Sequence, residues 1–118
     1  MPTETHRGGC HCGAVRYTVE LDTSQEAIEC NCTICGRSGS LLLFTGVDAF
    51  KLESGEDNLT DYQFHKHVIH HLFCKTCGIK SFARGQGQKG PMIAINVRCL
   101  DDVDVFAQPR KQFDGKSR

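Results

Sequence analysis

A chain of 118 residues, 39% hydrophobic and 24% charged, has room for one domain with a modest core and the composition of an ordinary folded protein. Fourteen basic residues balance fourteen acidic ones, so no net field draws it to nucleic acid or an anionic membrane, and 8% aromatic content without tryptophan leaves few platforms for base stacking. No apolar run approaches the ~20 residues that span a bilayer, and the polar start Met1-Pro2-Thr3-Glu4-Thr5-His6-Arg7 does not resemble a signal peptide. The expected location is the cytoplasm, where thiols stay reduced.

In chain order, Gly13 to Leu21 alternates with a period of two: Val15, Tyr17, Val19 and Leu21 share one face, Arg16, Thr18 and Glu20 the other. This predicts a half-buried strand. Asp22 to Gln25 is turn-like, and Ala27-Ile28 leads into a run of thiols. Cys30 to Gly39 has no room for a regular strand and reads as a loop or one helical turn closing at Gly36 or Gly39. Leu41–Thr45, Ala49–Glu53, Leu59–Phe64, His67–Phe73, Ile79–Ala83 and Met92–Cys99 follow as strand candidates, with a Gly- and Pro-rich loop from Arg84 to Pro91. No segment predicts an amphipathic helix of three turns. The expected fold is mainly β, a packed antiparallel sandwich or open barrel, as a single domain over residues 1–118 whose polar tail, residues 108–118, reads as a frayed terminus.

Seven of the eight cysteines fall into three tight clusters, Cys10-His11-Cys12, Cys30-Asn31-Cys32-Thr33-Ile34-Cys35 and Cys74-Lys75-Thr76-Cys77. A disulfide framework is the competing explanation, but adjacent Cys-x-Cys pairs bridge poorly and no secretion signal accompanies them. Such spacings suit a soft cation, and zinc takes four ligands tetrahedrally. Cys74-x-x-Cys77-Gly78 is the usual turn that aims two thiolates at one ion, and Cys10, Cys12 and Gly13 offer the same at the other end. Together they make a four-sulfur structural site that closes a loop of more than sixty residues. His11 is an alternative ligand there.

Cys30, Cys32 and Cys35 make a three-sulfur set that leaves a fourth tetrahedral position for water, a side chain or a substrate. A metal held by three thiolates is a weak Lewis acid, but it can take a further sulfur and keep it deprotonated, so the pattern points to a thiol substrate. Two other readings stay open: completion of the set by His65, His67, His70 or His71, and a redox dithiol. On a strand, His65, His67 and His71 would share one face and His70 the other, where a role supporting the ligands suits them better than catalysis. Cys99 continues the apolar face of Ile93, Ile95 and Val97 and reads as a buried, inert thiol.

The joint pattern Gly9-Cys10-His11-Cys12-Gly13-Ala14-Val15-Arg16-Tyr17, Cys30-Asn31-Cys32-Thr33-Ile34-Cys35, Phe73-Cys74-Lys75-Thr76-Cys77-Gly78 and Ile95-Asn96-Val97-Arg98-Cys99-Leu100-Asp101 resembles the glutathione-dependent formaldehyde-activating family, which includes centromere protein V. The resemblance implies an Mss4-like fold over a core of about residues 7–107. It also implies two Zn²⁺ ions, a structural one on Cys10, Cys12, Cys74 and Cys77 and a catalytic one on Cys30, Cys32 and Cys35. The implied activity is carbon–sulfur lyase chemistry, the addition of glutathione to formaldehyde to give S-hydroxymethylglutathione, with a small-molecule thiol and an aldehyde as partners. Arg37 and Arg98 are candidate anchors for the carboxylates of such a thiol, against an ordinary surface role. A zinc-stabilised binding module without catalysis and a thiol-based metal or redox sensor are the alternatives.

Overall fold

The computed structural model describes residues 3–63, 69–87 and 90–115. Its described residues contain ten strands, one short helix and three 3₁₀ turns, so the chain is mainly β. One sheet has the order β1-β2-β5, where β1 is Glu4–Gly9, β2 Arg16–Leu21 and β5 Phe50–Ser54. The other has seven strands in the order β10-β3-β4-β9-β8-β7-β6, with β3 Ala27–Cys30, β4 Leu42–Gly46, β6 Leu59–Tyr62, β7 His70–Cys74, β8 Phe82–Gly87, β9 Gly90–Asn96 and β10 Arg110–Phe113.

The two sheets share one apolar core. The predicted inner face of β2 is the buried one: Val15 and Val19 have 0% exposure, Tyr17 1% and Leu21 4%. Tyr17 packs its ring on Phe50 of its own sheet at 5.1 Å and on Phe82 of the other at 5.7 Å, and Phe50 meets Phe82 at 4.8 Å. Its hydroxyl donates to the Ser81 carbonyl at 3.0 Å, so a buried polar tip is satisfied. Leu41, Leu43, Ile93, Ile95 and Val97 complete the packing from the seven-stranded sheet. No helix among the described residues is long and apolar enough to cross a membrane.

Four features depart from the expectation. The polar segment Glu4–Gly9 is a strand, paired along its whole length with β2, because a sheet edge needs backbone partners rather than apolar side chains. The segment Arg110–Phe113, expected to fray, pairs in parallel with β3, so the large sheet is mixed rather than purely antiparallel. Gln108, just before it, is 6% exposed and donates to the Thr23 and Gln25 carbonyls, each at 3.0 Å. Of the expected loop from Arg84 to Pro91, residues 88–89 lie outside the described residues and the rest is ladder, with Arg84, Gly85 and Gln86 paired to Ile93, Met92 and Pro91.

Finally, the strand ending at Cys99 stops at Asn96. The Asn96 side chain accepts from the Arg98 N–H at 3.2 Å and starts a 3₁₀ turn, Val97–Cys99. Cys99 is half-buried there, and burial pushes its thiol up to about 11, which agrees with an unreactive role.

Candidate metal centres and the adjoining cavity

The first sulfur cluster stands where β1 and β7 end. Cys10 directly follows β1, and its N–H donates to the Val15 carbonyl at 3.1 Å, turning the chain so that Cys12 faces back. Cys74 closes β7, and the Gly78 N–H returns to the Cys74 carbonyl at 2.8 Å. Gly78 sits at φ 80°, a left-handed conformation that glycine adopts freely and that lets Cys77 aim at the same point as Cys74.

The sulfurs of Cys10, Cys12, Cys74 and Cys77 lie within 4.8 Å of one another. Cys12 Sγ is 3.6 Å from both Cys10 Sγ and Cys74 Sγ, a residue sixty-two positions away in the second case. That is far beyond the about 2.05 Å of a disulfide and close to the ~3.8 Å edge of a tetrahedron with metal–sulfur bonds of about 2.3 Å. The donors around these atoms suit thiolates. Val15 N–H and Asn58 Nδ2 each reach a sulfur at 3.3 Å, Cys10 and Cys74 respectively, and Thr76 N–H reaches Cys74 at 3.4 Å.

Charge competition inside the cluster is visible in its acidities. The Cys77 backbone N–H, with that of Thr76, holds the Cys74 thiol down at about 6. At Cys12 the Ala14 N–H favours the thiolate, yet burial and the Cys74 and Cys10 sulfurs push the thiol up to about 11. Four sulfurs at this spacing cannot all be anionic unless a cation joins them. The donor set therefore fits Zn²⁺.

The second cluster is built by β3 and the helix after it, α1 (Thr33–Ser38). Cys30 ends β3, Cys32 stands at the helix N-cap and Cys35 lies one turn on. The Gly36 N–H donates to the Cys32 carbonyl at 2.7 Å and the Gly39 N–H to the Cys35 carbonyl at 3.0 Å, so the turn is closed and the expected helical turn ends at Gly39. The helix buries none of its residues. No apolar face anchors it, so a metal shared by Cys30, Cys32 and Cys35 would tie it to β3.

Cys30, Cys32 and Cys35 are half-buried, and their sulfurs also lie within 4.8 Å of one another. Among the described residues this group has three members. Burial pushes the Cys35 thiol up to about 12, aided by the Cys32 sulfur. Cys32 goes the other way: burial opposes it, but the Cys35 N–H and the neighbouring thiols bring it below the usual thiol range. Three sulfurs this close together suit a shared cation, which would let all of them bind as thiolates.

A cavity of about 580 Å³ opens beside this cluster, lined by Cys30, Asn31, Cys35, Arg98, Phe113 and Asp114 among others. One of its walls is the segment read as a frayed tail, which lies against Cys30. The Asn31 N–H donates to the Phe113 carbonyl at 3.2 Å and Asn31 Nδ2 to Asp114 Oδ1 at 3.0 Å. A second cavity of about 540 Å³ adjoins it, sharing Ser40 and Arg98 and reaching Cys10, Lys80 and Cys99. Arg98 stands between the two with its Nε donating to the Gly39 carbonyl at 3.0 Å. Arg37, the other candidate anchor, lines a separate hollow with Tyr62 and donates to the Thr33 carbonyl at 3.4 Å.

The histidines divide in a way their spacing could not indicate. His65 and His67 lie outside the described residues. His70 pairs with Asp61 at 2.7 Å on the exposed side of β7. His71 is 6% exposed and its Nδ1 lies 3.3 Å from Lys80 Nζ. Lys80 has no sequence signature and was not among the expected site residues.

A family model described as "Glutathione-dependent formaldehyde-activating enzyme" matches residues 5–115. A crystal structure of a Rhodobacter sphaeroides protein from structural genomics has a TM-score of 0.78 and 32% identity, covering 91% of this chain and 99% of that one. The chain belongs to the glutathione-dependent formaldehyde-activating family.

Proposed function

We propose that this member of the glutathione-dependent formaldehyde-activating family joins a small-molecule thiol to an aldehyde, and splits the adduct in reverse, at Cys30, Cys32 and Cys35. The reaction class is carbon–sulfur lyase, with a glutathione-like thiol and a formaldehyde-like aldehyde as substrates. One observation carries the reading: among the described residues three half-buried sulfurs, not four, converge, and two of them, those of Cys30 and Cys35, belong to residues lining a cavity of about 580 Å³. That volume lies in the range that encloses a small organic ligand.

Cys30, Cys32 and Cys35 would hold a catalytic Zn²⁺, while Cys10, Cys12, Cys74 and Cys77 would hold a structural one. Held by these three residues, zinc would supply an affinity for a thiol as its nucleophilic anion near neutral pH and some polarisation of an aldehyde oxygen.

The chain's own residues do the rest. Arg98, at the junction of the two cavities, is placed to meet a carboxylate of the thiol by charge-assisted hydrogen bonds. Phe113 and Asn31 line the cavity beside Cys30, so a thiol whose carboxylate meets Arg98 would have its sulfur toward the cysteines. In the addition, sulfur bonds to the carbonyl carbon and the carbonyl π pair moves onto oxygen. The proton given up by sulfur ends on that oxygen, and cleavage runs the same steps backward. A cytoplasmic setting, with reduced thiols, fits this use.

Exchange spectroscopy tests the proposal. Zinc-loaded protein is mixed with glutathione and formaldehyde, and the exchange between free thiol and adduct is followed by NMR. Exchange should exceed the spontaneous rate and return to it with Cys32→Ser. A rate no faster than spontaneous for every thiol and aldehyde tried rejects the enzymatic reading.

A further inference from the structure

Lys80 lies three residues beyond Cys77, and its side chain lines the second cavity beside Ser38 and Ser40. Its backbone is fixed first. Asn96 Nδ2 donates to the Lys80 carbonyl at 3.1 Å, and the next residue, Ser81, accepts from the Asn96 N–H at 3.1 Å. Asn96 is itself 7% exposed and accepts from the Leu41 N–H at 3.3 Å, so the anchor is part of the core.

The ammonium end is fixed by His71. Lys80 Nζ donates to His71 Nδ1 at 3.3 Å, a geometry that requires the imidazole to be neutral. Burial, then the positive charge of Lys80, holds His71 below the usual histidine range, which keeps that acceptor in place. Lys80 also lines the second cavity together with Ser38 and Ser40, at the C-terminal end of the helix that bears Cys35. The charged neighbours the ammonium feels are the Cys35 sulfur first and the Cys32 sulfur second, and both oppose the effect of its burial. A cation is thus held by His71 in a half-buried cavity at the end of the helix that bears Cys35, within electrostatic reach of that sulfur and of Cys32.

We propose that Lys80, oriented by His71, is a positioning residue whose fixed positive charge favours the arrival of an anionic sulfur at the three-cysteine site. The argument is one of charge balance and rests on the functional reading above. Three thiolates and one divalent cation leave a net negative charge, and an incoming thiolate doubles it. Doubling the charge in a partly desolvated place is costly unless a cation stands nearby. Lys80 supplies that cation without occupying the fourth position. A neutral side chain of similar length should therefore weaken thiol binding about tenfold while leaving the metal in place.

The test reads binding rather than turnover. The full chain is loaded with cobalt(II), whose sulfur-to-metal absorption reports the ligands, and titrated with 2-mercaptoethanol and with glutathione. The proposal expects Lys80→Met and Lys80→Gln to bind both thiols about tenfold more weakly than the wild type at unchanged cobalt content, with Lys80→Arg within about twofold of it. Equal affinity in all four proteins overturns it. Weakening for glutathione alone also overturns it, because Lys80 would then be meeting a carboxylate and not the sulfur. Loss of the second cobalt from both neutral variants overturns it too, by making Lys80 a determinant of the metal. A wild type that binds cobalt but no thiol rejects the functional reading itself, and the role of Lys80 with it.

Discussion

Gly115 faces Cys30 so closely that a Cβ built on it would lie 2.6 Å from Cys30 Sγ and 3.2 Å from Cys32 Cβ. The parallel pairing of β10 with β3, which sets Phe113 opposite Cys30, brings it there. The end of the chain is therefore a wall of the three-sulfur site, and its lack of a side chain leaves the sulfur its room. Gly115→Ala should displace Cys30 and weaken metal binding at this site about tenfold. Thermal stability should fall by less than about 1 kcal/mol, since the change lies away from the core. Competition against a colorimetric chelator and a melting curve on the same sample check both halves.

The four-sulfur cluster carries a different load. It brings the end of β1 to the end of β7 across sixty-two residues, and an ion bound there would close that loop. Cys74→Ser should lose this metal and cost about 3 kcal/mol or more, a fall in Tm of roughly 10 °C for a chain of this size. Cys32→Ser should lose the other metal with a much smaller change. Melting temperatures of the two variants, measured side by side with metal content, distinguish the roles.

Acid should empty the two sites in order. The Cys74 thiol is held at about 6 against an ordinary 9.0, so its anion is favoured in the folded chain. That contribution is complete above pH 9 and declines as the pH falls toward 6. Each cluster also holds a thiol pushed the other way, Cys12 up to about 11 and Cys35 up to about 12, so the number of ligands sets the order. With one sulfur fewer to hold its ion, the three-sulfur site should release it at higher pH than the four-sulfur site. A chromogenic chelator present through a slow acid titration should record two separate steps, and a single step contradicts the assignment.

What could be read from the residues was local. Cys-x-Cys and Cys-x-x-Cys spacings bring sulfurs together whatever the surrounding fold, and the alternation from Val15 to Leu21 declares its buried face unaided. The polar strands escaped because they gain their place by backbone pairing: Glu4–Gly9 and Arg110–Phe113 have no apolar period to detect. Gly85 and Gly87 disguised a hairpin as a loop. Lys80 was hidden for another reason. Its partner His71 is nine positions away and the sulfurs it faces lie on a separate element, so only the folded sheet brings them together.

The central claim is that two distinct sulfur sets each bind one metal ion, the smaller set on its own. Elemental analysis of zinc per chain, in the wild type and in a Cys30→Ser/Cys32→Ser/Cys35→Ser variant purified with excess zinc, addresses it directly. The account predicts two ions in the first and one in the second, with the variant still folded. One ion in both would contradict it.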